Sequence, residues 1–194
     1  MNQKVQGLTG EDKLKKKTEL MITRGIYGYC LQETWLIGTF SRTIQGNLLL
    51  HHGMATKPCH RGQAISSVAI ILGPALQRDW DMAGKPPLIT SAANSDFPGR
   101  MIGITLCFSN RFNKKADTYH KRGRGRINIL LASIYHPVEH DGQKRFNEEL
   151  ASFYNAIPQN AKLLAGQDVN SNIGFLSKMF RDVIGPNGID NRNA

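Results

Sequence analysis

Two spacings of apolar residues run along this chain, one that fits helices and one that fits strands. Leu14, Thr18, Met21 and Ile22 recur at helical spacing behind Thr9, a candidate N-cap, with Glu11 and Asp12 in the first turn and Gly25 just past the end. That pattern predicts a helix from about Gly10 to Arg24. Lys13, Lys15, Lys16 and Lys17 fall largely off its apolar stripe and read as a solvated face. Phe146, Leu150 and Phe153 mark a second amphipathic helix over Gln143 to Ala156, stopped near Pro158. Pro74 to Met82 predicts a short helix holding Trp80, and Phe175 to Arg181 another.

The strand signal is stronger. Asn47 to His52 and Ala64 to Leu72 are rich in Leu, Ile and Val and are bounded by Gly53, Gly62 and Gly73, so both read as buried strands. Ile26 to Leu31, Met101 to Phe108 and Ile127 to Tyr135 read as strands as well. Ala161, Leu163, Leu164 and Ala165 form a further apolar run, a buried strand that ends at Gly166. Met54 to Gly62, Lys85 to Gly99 and Gly185 to Asn193 are turn and loop by their Pro, Gly and Asn content, and no internal repeat is visible.

Charge narrows the partner. Lys and Arg number 25 against 15 Asp and Glu, a net charge of +10, which makes a polyanion the natural partner and nucleic acid the best fit. The 194 residues suffice for one domain, residues 1–194, able to bury roughly 70% of its unfolded surface. No apolar run of membrane-spanning length and no signal-like start is present, which predicts an intracellular chain, nuclear or cytoplasmic, with no membrane partner. Cys30, Cys59 and Cys107 are odd in number and unpaired in spacing, as in a reducing compartment, and His51, His52, Cys59 and His60 match no standard metal spacing. Nothing in the residues specifies an oligomeric state.

Basic residues concentrate between the strands at Met101 and Ile127, in roughly 18 residues that carry Lys114, Lys115, Lys121, Arg122, Arg124 and Arg126. This segment reads either as a solvated loop or as an arm along a phosphate backbone, where Lys and Arg displace counterions.

The polar cluster after the 161–165 strand is the candidate site. Asp168 and Asn170 follow a strand end, where α/β architectures place ligands. Asp168 can hold a metal or take a proton, and Asn170 can donate to a phosphate. Their bland alternative is an Asx turn, in which both side chains bond their own backbone.

Five stretches decide between these readings: VQGL (Val5 to Leu8), CLQETW (Cys30 to Trp35), SIYHP (Ser133 to Pro137), AGQDVN (Ala165 to Asn170) and VIGPNGIDNRN (Val183 to Asn193). In this order they resemble the endonuclease/exonuclease/phosphatase superfamily and, more narrowly, the endonuclease domain of non-LTR (LINE-type) retrotransposons. The resemblance implies a four-layer α/β sandwich, two facing β-sheets flanked by helices, incomplete at its C-terminal end. It implies Glu33 as ligand of Mg²⁺ or Mn²⁺, Tyr135 as a phosphate contact, and Asp168 and Asn170 as the catalytic pair. Trp35 reads as core, with base stacking as the alternative, and His136 as structural.

Two departures from the family pattern stand out. Lys4 occupies the position where relatives carry Asn, and the chain ends before the closing Ser-Asp-His segment. The resemblance therefore implies a DNA-cutting phosphodiesterase impaired by truncation, with an unprotected sheet edge. A catalytically inactive, basic nucleic-acid-binding remnant is the alternative. A phosphatase or lipid phosphodiesterase of the same superfamily ranks last, because the charge disfavours small phosphoesters.

Overall fold

The computed structural model describes residues 1–4, 8, 11–55, 66–92, 95–109, 126–138 and 140–168. One sheet contains β1 (Asn2–Lys4), β2 (Gly28–Gln32), β3 (Phe40–Ile44), β4 (Asn47–Gly53) and β5 (Ser67–Leu72) in the order β1-β2-β5-β4-β3. The other contains β6 (Ile89–Thr90), β7 (Met101–Ser109), β8 (Arg126–Tyr135) and β9 (Ala161–Asp168) in sequence order. The β1–β2 and β8–β9 pairs are parallel and the rest antiparallel, so both sheets are mixed.

Alternation along the strands sorts their side chains into three cores. Leu131 and Tyr135 of β8 face the first sheet, where they meet Cys30, Leu50, Val68 and Ile70. The intervening Leu130, Ala132 and Ile134 point the other way, onto Phe146, Leu150 and Phe153 of α3 (His140–Asn155). On the far face of the first sheet, Tyr29, Leu31, Leu49 and Ile71 pack under Leu14 and Met21 of α1 (Glu11–Thr23). Helix, sheet, sheet, helix is the four-layer sandwich expected from the sequence. Phe146 is fully buried, and its truncation to Ala would cost about 3–5 kcal/mol.

Local chemistry explains the element ends. α2 (Pro74–Met82) starts with Pro74 in its first turn behind Gly73, where the missing N–H costs nothing. Leu76 and Trp80 of α2 close one side of the inter-sheet core. β3 and β4 pair from Ile44 to Asn47 around Gln45 and Gly46, both at positive φ (47° and 76°), a tight turn whose twist suits a hairpin.

Several expectations are corrected. β1, β3 and β6 were not anticipated: β3 is largely exposed and so lacks an apolar run, and the other two are three and two residues long. The strand before Asp168 is not buried throughout, since Leu163 and Leu164 are 43% and 60% exposed. Among the described residues β9 pairs with β8 alone and is a sheet edge, so one of its flanks is uncovered. Ile22, placed on the stripe of α1, is 64% exposed because its neighbour Met21 takes the buried position. Thr9, Cys59, His60, Asn170, Lys114, Lys115, Lys121, Arg122, Arg124 and the stretches 175–181 and 185–193 lie outside the described residues. No helix among the described residues is long and apolar enough to cross a membrane.

Candidate active site

At one rim of the sandwich a side chain from each sheet meets the other. β2 stops at Gln32, and Glu33 follows with φ 56°, a left-handed conformation that a residue with a Cβ adopts at a cost. The turn swings the Glu33 carboxylate toward the opposite sheet. There the Tyr135 hydroxyl, at the last residue of β8, donates to Glu33 Oε1 at 2.6 Å. Both groups are buried, at 9% and 2% exposure, so this charge-assisted bond forms largely away from water.

Asp168 arrives by register. It ends β9 as the parallel partner of Tyr135, which sets their Cα atoms about 4.8 Å apart. The ladder continues one step further, where the His136 backbone N–H donates to the Asp168 carbonyl at 2.9 Å. His136 is half-buried, edge-on to Phe146, and its Nε2 lies 3.2 Å from Gln167 Oε1. Burial lowers its pKa, more than the Gln167 hydrogen bond and the nearby Asp168 charge raise it. Its surroundings are those of a packed ring, in line with its structural reading.

Beneath the rim the sheets approach closely. A Cβ on Gly166 would stand 2.6 Å from Cys30 Cβ and 2.8 Å from Asn2 Oδ1, so only glycine fits there. Asn2 Nδ2 donates to the Gln167 carbonyl at 3.0 Å, and Gln32 Nε2 donates to Ser133 Oγ at 2.9 Å and to the Gly166 carbonyl at 3.2 Å. Ser133 passes its own proton to the Leu31 carbonyl at 3.0 Å. Gln32 Oε1 is buried and has no hydrogen-bond partner among the described residues. Cys30 donates to the Ala132 carbonyl at 3.2 Å, and burial pushes its thiol up to about 11.

A polar network holds the turn that carries Glu33. His51, fully buried, places Nδ1 2.8 Å from the Gly38 carbonyl and Nε2 2.8 Å from Thr34 Oγ1. A carbonyl can only accept, so Nδ1 carries the proton and Nε2 takes the Thr34 hydroxyl hydrogen. The Thr34 and Ser67 hydroxyls are 2.8 Å apart, and with Thr34's proton committed the Ser67 hydrogen completes that bond. Ser67 Oγ also accepts the Trp35 backbone N–H at 2.7 Å. Burial, stronger than the Gly38 hydrogen bond that opposes it, lowers the His51 pKa from 6.5 to about 4 and keeps the ring neutral.

Of the residues singled out in the sequence, Glu33, Tyr135 and Asp168 come together at this rim. Trp35 is not core: it is 41% exposed, because the left-handed Glu33 breaks the strand alternation that would have turned it inward. Arg126 begins β8, far along the strand from Tyr135. Arg100 was missed. It follows Gly99 in a loop with no apolar pattern, yet its guanidinium lies over the Tyr135 ring, 4.7 Å from the centroid. Gln32, Thr34, His51 and Ser67 were missed as a set, since their partners lie 13 to 134 residues apart in sequence. His52 lies 2.8 Å from Thr39 Oγ1 and 2.9 Å from Ser91 Oγ.

The donors at the rim suit a hard cation. The Glu33 and Asp168 carboxylates and the orphaned Gln32 carboxamide oxygen are all oxygen ligands, the type Mg²⁺ and Mn²⁺ select. Among the described residues no group of three or more His, Cys, Asp or Glu side chains is placed to hold a metal ion. Mg²⁺ is usually bound by one or two carboxylates with substrate and water, and Glu33 fits that mode.

A two-sheet sandwich with strand ends converging on a carboxylate rim defines the structural class. Comparison with known proteins places it. The chain is similar to the catalytic domain of Xenopus laevis APE2, with a TM-score of 0.52 at 14% identity, over 88% of this chain and 58% of that one. It is also similar to the endonuclease domain of TRAS1, a telomere-specific non-LTR retrotransposon, with a TM-score of 0.45 at 14% identity over 88% of this chain and 57% of that one. No family model and no curated protein sequence matches. The chain therefore has the endonuclease/exonuclease/phosphatase fold, and it spans somewhat over half the length of the structures it matches.

Proposed function

We propose that this chain is a Mg²⁺- or Mn²⁺-dependent phosphodiesterase acting on DNA, of the retroelement endonuclease type. The observation that carries the reading is the Glu33–Tyr135 bond across the two sheets with Asp168 on the adjoining register position. Phosphodiester hydrolysis needs a positioned water, neutralised phosphoryl oxygens and a donor at the developing charge. Glu33 would hold the divalent ion, which supplies the neutralising charge when bound. Asp168 would orient a water and take its proton as the oxygen bonds to phosphorus and the bond to the leaving oxygen breaks. A bound phosphate would offer the Tyr135 hydroxyl an acceptor in place of Glu33, and Asn170 a place to donate. Lys114, Lys115, Lys121, Arg122, Arg124 and Arg126 would lie along the DNA backbone, in keeping with the net charge of +10. Replacing Lys121, Arg122, Arg124 and Arg126 together with Ala should then flatten the salt dependence of binding by about 1 per lost phosphate contact.

Nicking of supercoiled plasmid tests the reading, with Mg²⁺ or with EDTA, for the chain and for Glu33→Gln and Asp168→Ala. Nicking that requires Mg²⁺ and drops about 10²-fold or more in either variant is the expected result. Equal nicking by all three proteins, or nicking that survives EDTA, would overturn it.

A further inference from the structure

Trp35 stands at the rim and has no part in the chemistry above. Its backbone is left-handed, φ 58°, a genuine outlier for a bulky aromatic, and the Ser67 hydroxyl pins its N–H at 2.7 Å. Ser67 is fully buried and held in turn by Thr34 and His51, so the strained turn rests on a rigid base. The residue is nonetheless 41% exposed. The chain's other tryptophan, Trp80, behaves differently: it packs against the inter-sheet core and donates its ring N–H to the Pro86 carbonyl at 3.3 Å. A large aromatic set half in water on a fixed turn is a contact surface placed in advance, because its backbone has little freedom left to lose and its side chain has only two rotatable bonds.

Its position indicates what that something is. Trp35 is two residues from Glu33, at most about 7 Å along the backbone, so it stands within one nucleotide of a phosphate bound at the rim. We infer that Trp35 is a stacking platform for a nucleobase of the DNA strand whose phosphate accepts from the Tyr135 hydroxyl beside Glu33. This rests on the phosphodiesterase reading of the same rim. Stacking is tolerant of sequence, since every base presents a π-face, so the platform would fix the register of the strand without selecting a base.

The test uses the chain with Trp80→Phe, which leaves Trp35 as the lone indole reporter. Two end-labelled single strands of equal length and charge are compared, one normal and one built of abasic sugar-phosphate units. Label anisotropy reads binding and indole emission reads stacking. The normal strand should quench the emission, and Trp35→Ala should weaken its binding about 5- to 100-fold while Trp35→Phe retains most of it. The abasic strand should bind without quenching and be indifferent to Trp35→Ala. If both strands bind with no quenching, or Trp35→Ala binds the normal strand as the parent does, the platform is overturned and the DNA reading stands. If neither strand binds, both are overturned.

Discussion

Tyr135 and Asp168 stand where an ordinary parallel ladder puts them, whereas Glu33 and Trp35 stand on backbone that no ladder produces. In the β8–β9 half, strand register alone sets the two residues side by side. In the β2 half, two left-handed residues flank Thr34, each costing about 1–2 kcal/mol, and a chain of hydrogen bonds through Thr34, His51 and Ser67 holds them. A regular element can deliver a side chain at no cost only along its own repeat. Swinging a carboxylate across to the facing sheet requires leaving the repeat, and the buried network is what keeps the departure fixed. The halves should therefore fail in different ways.

The largest expected effect is on the bond that joins them. Tyr135→Phe removes the hydroxyl that Glu33 accepts and the proposed phosphate donor, and plasmid nicking should fall about 10²- to 10³-fold while the fold persists. An unchanged rate would show that the junction is packing only.

Next comes acid sensitivity, which belongs to the strained half. The folded chain keeps His51 neutral down to about 4, while the unfolded chain protonates it near 6.5. The unfolded state thus binds more protons in this window. The stability involved is complete above pH 6.5 and is lost as pH falls toward 4, up to roughly 3 kcal/mol. Urea unfolding across that range should show a steep decline that is shallower in His51→Leu. That variant should also start lower at neutral pH, by about 1–3 kcal/mol, because the Gly38 carbonyl and the Thr34 hydroxyl each lose one of their hydrogen bonds and keep those to the Gly53 N–H and Ser67 Oγ. Equal slopes for the two proteins would remove His51 from the account.

Gly166→Ala probes the shared floor. The added methyl meets Cys30 Cβ and the Asn2 side chain, and the sheets must part, at about 1–3 kcal/mol by thermal unfolding. A neutral result would mean that the sheets part freely there. The smallest effect is also the sharpest comparison. Trp35→Gly relieves a left-handed residue and should leave stability unchanged or raise it by up to about 1 kcal/mol, whereas Asp168→Gly in the regular strand end should lower it by about 0.5–1 kcal/mol. The same sign in both would show that the two halves do not differ in backbone strain.

The sequence by itself determined most elements and singled out three residues that the fold brings together. Periodicity placed α1, α3 and the apolar strands to within a few residues, because each buries a stripe or a face that repeats locally. The order of QETW, SIYHP and AGQDVN pointed to a fold that the structure has, and to three residues that it brings to one rim. Tertiary structure decided the rest. β3 has no apolar run to announce it, and a strand's burial depends on which neighbours the sheet order gives it, so Leu163 and Leu164 looked internal and are exposed at an edge. Trp35 looked like core because alternation was carried past Gln32, and only the folded chain shows that Glu33 leaves the β region there. The His51 network and the Arg100–Tyr135 stack join residues far apart in sequence through distance and direction. Those quantities exist only once the strands of each sheet are paired and the turns between them are folded, and no local pattern encodes them.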